Sequence, residues 1–383
     1  MFKFKNYDLK HYNVSLLGVI IILGSIGMVL IQRLQDADER QFEKQVIGYV
    51  AGITLAIIIS MIDYHFICKF FIPLYILNLG MLLVVKFTPL GYKHYDAKRW
   101  IKVPGIGMEI QPSELSKIIL ILFFAKYFDL VRRQINKLSV LAITFVLFAI
   151  PIFIILTQPH LSASIVMSLC FLAMLFTAGL SYKIILPTIA ISIPSFIALF
   201  WYVQQPYQIL LTKYQQDRVL AMLHPDRYPD LMYQQVNATK AIQAGGMTGK
   251  LIADESATLK SSLVPVIESD FIFTAIAEAF GFIGCIVVLL LLAFFIYKAI
   301  FIARHAVDNL GMLIASGIAA LVMLQAFVSI GVVTSLLPNT GIPLPFVSSG
   351  LSSLIGNMIM VGILLNIGLQ NDRMLPKKET LSL

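Results

Sequence analysis

The stretch FIFTAIAEAFGFIGCIVVLLLLAFFIY, Phe271–Tyr297, runs for 27 residues with a single acidic or basic side chain, Glu278. A helix needs about 20 mostly apolar residues to cross a bilayer, so this segment reads as a membrane span. Directly before it stands VPVIESD, Val264–Asp270, which puts Glu268 and Asp270 at the lip of the helix. Charges beside hydrocarbon are costly and mark paired or functional positions. The two carboxylates are therefore the first candidates for chemistry.

Working outward, nine further apolar runs follow the same rule: Val14–Ile31, Val46–Ile62, Phe70–Val85, Glu114–Leu130, Leu138–Leu156, Ala163–Leu180, Ile184–Val203, Leu310–Val333 and Leu351–Leu369. Only 13% of the 383 residues are charged and 58% are hydrophobic, against about 25% charged in soluble domains. The chain is predicted to be an all-α membrane protein of about ten transmembrane helices, in one polytopic domain over residues 1–383. The basic N-terminus followed by Val14–Ile31 reads as a retained first span, because no small-x-small cleavage site follows it. With the N-terminus inside, the inner segments hold 14 Lys and Arg and the short outer loops 8. That bias favours cytoplasmic termini, with a cytoplasmic tail at 371–383 and a long extracellular loop, 204–269, between helices 7 and 8.

The +8 net charge is ordinary for such a protein. No basic stripe is interleaved with aromatics, which excludes a nucleic-acid surface. Cys68, Cys170 and Cys285 lie in apolar surroundings without metal-like spacing and read as small hydrophobes. The scattered histidines form no metal-binding pair.

Three outer segments converge on one face: Lys86–Ser113, Gln204–Ser269, and the Pro- and Gly-rich LLPNTGIPLPFVSSGLSS, Leu336–Ser353. Irregular backbone at membrane depth is tolerated only where protein or a wet cavity covers it, and a long loop in a compact protein is usually functional. Within these segments Glu114 and Lys117, three apart, share a helix face. They are either a local ion pair that eases the helix start or a charged pair lining a cavity. Arg99, beside Trp100, could grip a phosphate or carboxylate bidentately; the alternative is a solvated loop charge. The stretch YQQDRVLAMLHPDRYPDLMYQQ suggests a helix along the membrane surface, and QAGGMTGK is a flexible turn without P-loop spacing. Glu278, inside a span, reads as structurally paired. On these grounds enzyme, transporter and receptor scaffold all remain open.

RWI, QPSELSK, QPHLSASIV, YQQDRV, AIQAGG, SDFIFTAIAEAFGFIG and LPNTGIPLPFVSSG occur in this order along the chain. Together they resemble the SEDS family (shape, elongation, division and sporulation), whose members include RodA, FtsW and SpoVE, over about Val14–Asn371. The resemblance implies a ten-helix peptidoglycan glycosyltransferase. It would polymerise lipid II at the outer face of the bacterial cytoplasmic membrane, with a class B penicillin-binding protein as partner. The family's essential Asp falls on Asp270 as catalytic base, its Arg on Arg99, and its Glu and Lys on Glu114 and Lys117 as substrate-binding residues. A divalent cation, Mg or Mn, is the candidate cofactor, without assigned protein ligands, and no organic cofactor is expected.

The sequence departs from the family pattern at Val266 and Glu268, where Glu and His are usual, and Glu268 is the candidate to supply the carboxylate lost at Val266. It departs also at His160 for Asp, at Ala279 for Glu, at Leu351 for Gly, and at Asn237-Ala238 for Gln-Ser. A lipid-linked precursor flippase and a catalytically silent lipid II-binding scaffold are the competing roles. Apart from Glu278, the spans carry few ionisable residues away from their ends, which favours chemistry at one face over passage through the bilayer.

Overall fold

The computed structural model describes residues 12–34, 39–94, 97–102, 109–158, 160–254, 259, 261, 264–339 and 341–370. The basic N-terminal residues 1–11 and the predicted tail at 371–383 lie outside them. Ten helices match the ten predicted spans: α1 (Val14–Leu34), α2 (Glu39–Ser60), α4 (Phe71–Phe87), α5 (Pro112–Val131), α6 (Leu138–Leu156), α7 (Leu161–Thr177), α8 (Tyr182–Val203), α12 (Ile272–Arg304), α13 (Asn309–Val333) and α14 (Leu351–Leu369). Seven are long and apolar enough to cross a membrane by length and composition. Of the other three, α4 and α7 are apolar but shorter, and α5 carries Glu114, Lys117, Lys126 and Asp129.

The arrangement follows from which helices hide apolar surface from water and which hide it from lipid. α13 and α14 form the buried centre, α14 packing along α2, and α13 along α12 and α7. α8 stands at the other extreme, with Val203 its only buried residue. A helix apolar all round is at home in hydrocarbon without protein neighbours.

Three additional helices occupy the long segment between α8 and α12: α9 (Lys213–Leu223), α10 (Pro229–Gly245) and the one-turn α11 (Lys250–Ala253). The expected single surface helix is thus two, separated at Pro225 and Pro229. α9 opens with a capping box in which the Thr212 hydroxyl accepts from the Gln215 N–H and the Gln215 side chain accepts from the Thr212 N–H. α10 places Pro229 in its first turn, where its missing N–H costs nothing.

Lys86–Ser113, expected to be loop, forms a three-stranded antiparallel sheet of β1 (Gly91–His94), β2 (Ala97–Lys102) and β3 (Glu109–Ile110). Tyr92 faces Trp100 and Ile101 faces Ile110 across the strands. Aromatic and β-branched cross-strand pairs offset the four lysine and arginine residues that hide the strand pattern from hydropathy.

These elements meet at one end of the bundle. The Ser352 hydroxyl donates to Glu109 O at 2.9 Å, and the Gln235 side chain donates to Val332 O and Leu337 O at 2.8 and 2.9 Å. The convergence predicted from the sequence is present.

The opposite end is fastened differently. In α3 (Tyr64–Cys68) the His65 ring meets Asp63 Oδ1 through Nδ1 at 2.8 Å and Asp308 Oδ2 through Nε2 at 2.7 Å. Tyr64 donates its hydroxyl to Asp308 at 2.7 Å, and its N–H to Asn366 of α14 at 2.9 Å. Asp308 also caps α13 by accepting from the Gly311 N–H.

Candidate functional site

α5 begins with Pro112 at its first turn and turns Glu114 and Lys117 onto one face. Lys117 Nζ lies 2.8 Å from Glu114 Oε1, and each side chain is only 6% exposed. A charge this buried must be met by an opposite one. An apolar crevice lined by Leu120, Ile121, Phe124, Met174 and Leu321 runs past Lys117, so its stem is packed in hydrocarbon while its ammonium is held by Glu114. Of the two readings left open by the sequence, the local ion pair is present, and Lys117 also borders the apolar crevice.

β2 supplies Arg99, whose Nε–H donates to Gln158 O at 3.1 Å. Gln158 is itself pinned by donating to Leu82 O at 3.0 Å, which fixes the strand against the α6–α7 turn. Two residues on, His160 is 4% exposed and its Nδ1 lies 3.3 Å from the Ser113 hydroxyl. Burial first, then the charges of Arg99 and Lys117, hold its pKa well below the usual imidazole range. Burial and the two nearby cations thus favour the uncharged form of this ring.

Asp270 closes the group from the α12 side. The turn 264–270 bonds its Ser269 and Asp270 N–H groups to Val266 O, both at 3.2 Å. Val266 has a φ of 58°, a conformation that strains a β-branched residue and recurs at functional sites. Ser269 donates its hydroxyl to Asp270 Oδ1 at 2.9 Å. The loop between α13 and α14 grips this turn from the other side, with Ser349 N–H donating to Glu268 O at 2.8 Å and the Ser348 hydroxyl donating to Ser269 O. Asp270 keeps part of its surface open although protein surrounds it. Burial pushes its carboxyl above the usual carboxylate range; the Ser269 bond and the charges of Arg99 and Arg218 pull it down, and Glu114 pushes it up.

Arg218 was not singled out in the sequence. It projects from α9 and donates from Nη1 to Asn339 O at 2.8 Å, and Asn339 in turn donates to the Gln234 side chain of α10. Only its basic charge in an amphipathic helix was visible beforehand, and such charges are usually solvated. Of the predicted residues, Arg99 and Glu114 act electrostatically on Asp270, and Lys117 joins them through Glu114. Glu268 is held by its backbone; among the described residues no hydrogen bond or ion pair involves its carboxylate. Glu278 is fully buried and accepts from Lys250, as the sequence suggested, away from this group.

A polytopic helical bundle that gathers the carboxylates Asp270 and Glu114, two arginines and a buried lysine at one end defines a membrane protein with an acid–cation cluster. The chain belongs to the FtsW/RodA/SpoVE family, SEDS: the family model described as "Cell cycle protein" matches residues 9–373. It is 32% identical to a probable peptidoglycan glycosyltransferase FtsW of Trichlorobacter lovleyi, over 95% of this chain and 94% of that one. It is 29% identical to the peptidoglycan glycosyltransferase MrdB of Escherichia coli K12, over 94% of each chain. A solved chain from a peptidoglycan synthase complex, described for its coordination of polymerization and crosslinking, superposes with a TM-score of 0.80 at 25% identity, covering 94% of this chain and 99% of that one.

Proposed function

We propose that this protein is a peptidoglycan glycosyltransferase of the bacterial cytoplasmic membrane, which polymerises lipid II at the outer face and works with a class B penicillin-binding protein. The observation that carries the reading is Asp270, at the mouth of α12, under the charges of Arg99 and Arg218. Glycosyl transfer from a lipid pyrophosphate needs a base for the acceptor proton and fixed positive charge for the departing pyrophosphate.

In this reading Asp270 takes the proton of the acceptor sugar hydroxyl. The freed oxygen pair forms the new bond to the donor's anomeric carbon as the bond from that carbon to the pyrophosphate oxygen breaks. The electron pair leaves with the lipid pyrophosphate, and the proton remains on Asp270 until water removes it. Arg99 and Arg218 face the developing charge; Lys117, tied to Glu114, adds a third cation that cannot swing away. A carboxyl lifted by burial is a better base near neutral pH than an ordinary one.

Among the described residues no group of three or more His, Cys, Asp or Glu could hold a metal ion. A divalent cation, Mg or Mn, would therefore be carried largely by the pyrophosphate and its waters, with Asp270 the carboxylate beside it, as Mg is commonly bound. Such an ion would neutralise leaving-group charge.

Purified protein, alone and with class B partners, given fluorescent lipid II and a divalent cation, should yield glycan ladders on a gel. Lipid II binding without ladders under every pairing would move the assignment to a scaffold.

A further inference from the structure

α12 is two helices in one. Gly281 has φ 64° and ψ −163°, which leaves Ile272–Phe280 as a short outer piece that begins two residues after Asp270. The N–H groups released at the break are taken up outside the helix: Phe282 donates to Gly246 O at 2.9 Å and Ile283 to Met247 O at 3.1 Å. The turn after α10 sits tight against this break, since a Cβ on Gly249 would lie 2.3 Å from Ala279 O.

Glu278 lies on that short piece, fully buried. One carboxylate oxygen accepts from Lys250 Nζ, in the first turn after Gly249. The other accepts from the Ser261 N–H at 2.6 Å. Ser261 O accepts from Val264 N–H at 2.9 Å, and Val266 O then accepts from Asp270 N–H at 3.2 Å. Hydrogen bonds and the backbone between Val264 and Val266 thus connect Glu278 to the turn that presents Asp270, and the ion pair connects it to Lys250 on the turn packed at the helix break.

We propose that the Lys250–Glu278 ion pair fixes the height and orientation of Asp270, so that both are positioning residues for the transfer. The inference rests on the reading of Asp270 as the base. Its physical basis is that a buried carboxylate with both oxygens occupied is costly to displace, so it anchors the backbone on both sides. A reacting group misplaced by about 1 Å can cost about 10²-fold in rate.

The test uses the full-length protein and the double variant Lys250→Met/Glu278→Gln, which removes both charges together and strands neither. The expected result is a kcat lowered by about 10²-fold with an unchanged KM for lipid II. In parallel, Asp270→Cys is placed in both backgrounds and labelled with a small anionic thiosulfonate; Cys68, Cys170 and Cys285 are buried. The labelling rate should change severalfold when the pair is neutralised. An unchanged labelling rate and an unchanged kcat overturn the proposal, as does a kcat that falls only in proportion to folded protein measured by size exclusion. If the parent protein forms no glycan, the functional reading fails, and the labelling rates still decide whether the pair positions residue 270.

Discussion

Gly341 lies directly over Asp270: a Cβ at position 341 would stand 2.8 Å from Asp270 Oδ2. The same glycine has φ 64°, so its lack of a side chain serves both the turn and the carboxylate. Gly341→Ala therefore adds a left-handed penalty of about 1–2 kcal/mol and pushes on the base. The expected outcome is a modest drop in melting temperature with a much larger drop in kcat, on the order of 10²-fold. Equal losses in stability and rate would show that the contact with Asp270 is incidental.

The Glu114–Lys117 pair gives an asymmetric prediction. Removing one partner leaves the other charge buried alone, which costs about 3–5 kcal/mol. Glu114→Gln and Lys117→Met should each destabilise the protein strongly in thermal unfolding, whereas the double variant should recover much of the lost stability. Activity should not recover, because the cation is gone. A double variant with wild-type turnover would remove Lys117 from the reaction.

Arg218 is the residue that the structure adds to the site. Arg218→Ala should lower kcat by about tenfold, the scale of a hydrogen bond to a charged group, and Arg218→Lys should lose less. An alanine variant with wild-type kcat at saturating lipid II would limit Arg218 to holding Asn339.

At the far end of the bundle the His65 clamp predicts how stability depends on pH. The Asp308 bond first, and then Asp63, raise the His65 pKa against burial. Burial acts to raise Asp63 and Asp308, but their bonds to His65 and neighbouring N–H groups bring both below the usual carboxylate value. A raised imidazole contributes stability below its ordinary value, about 6.5, and loses it as pH rises through the folded value. The lowered carboxylates contribute above their ordinary value, about 4, and lose it as pH falls through their folded values. Melting temperature in detergent should therefore be highest between about pH 4 and 6.5 in this contribution, and His65→Gln should flatten the alkaline fall. An identical alkaline fall in wild type and variant would disprove the clamp.

Much of this was legible in the chain, and the reasons are specific. Ten apolar runs gave ten helices because hydrocarbon accepts little else. Asp270 stood out because a carboxylate at the start of such a run is conspicuous, and Glu114 and Lys117 because spacing of three places side chains together. The break at Gly281 did not stand out, since a glycine in an apolar run does not disclose its φ. The sheet carrying Arg99 was hidden by lysines at short strand positions, and α9 and α10 were merged because their boundary is a pair of prolines inside one amphipathic pattern. Arg218 and His65 gained their roles only from contacts across 121 and 243 residues, a separation no local pattern encodes.

The central claim is that Asp270 is the base, and Asp270→Asn tests it most directly. The variant keeps the size of the side chain and removes its ability to take a proton. Polymerisation of fluorescent lipid II by the purified protein with its class B partner should fall by about 10²–10⁴-fold, while the protein remains folded and still binds lipid II. In the wild type, activity should fall on the acid side at a pH above the ordinary carboxylate value, as the raised Asp270 pKa requires. Glycan ladders of undiminished rate from Asp270→Asn would contradict the account.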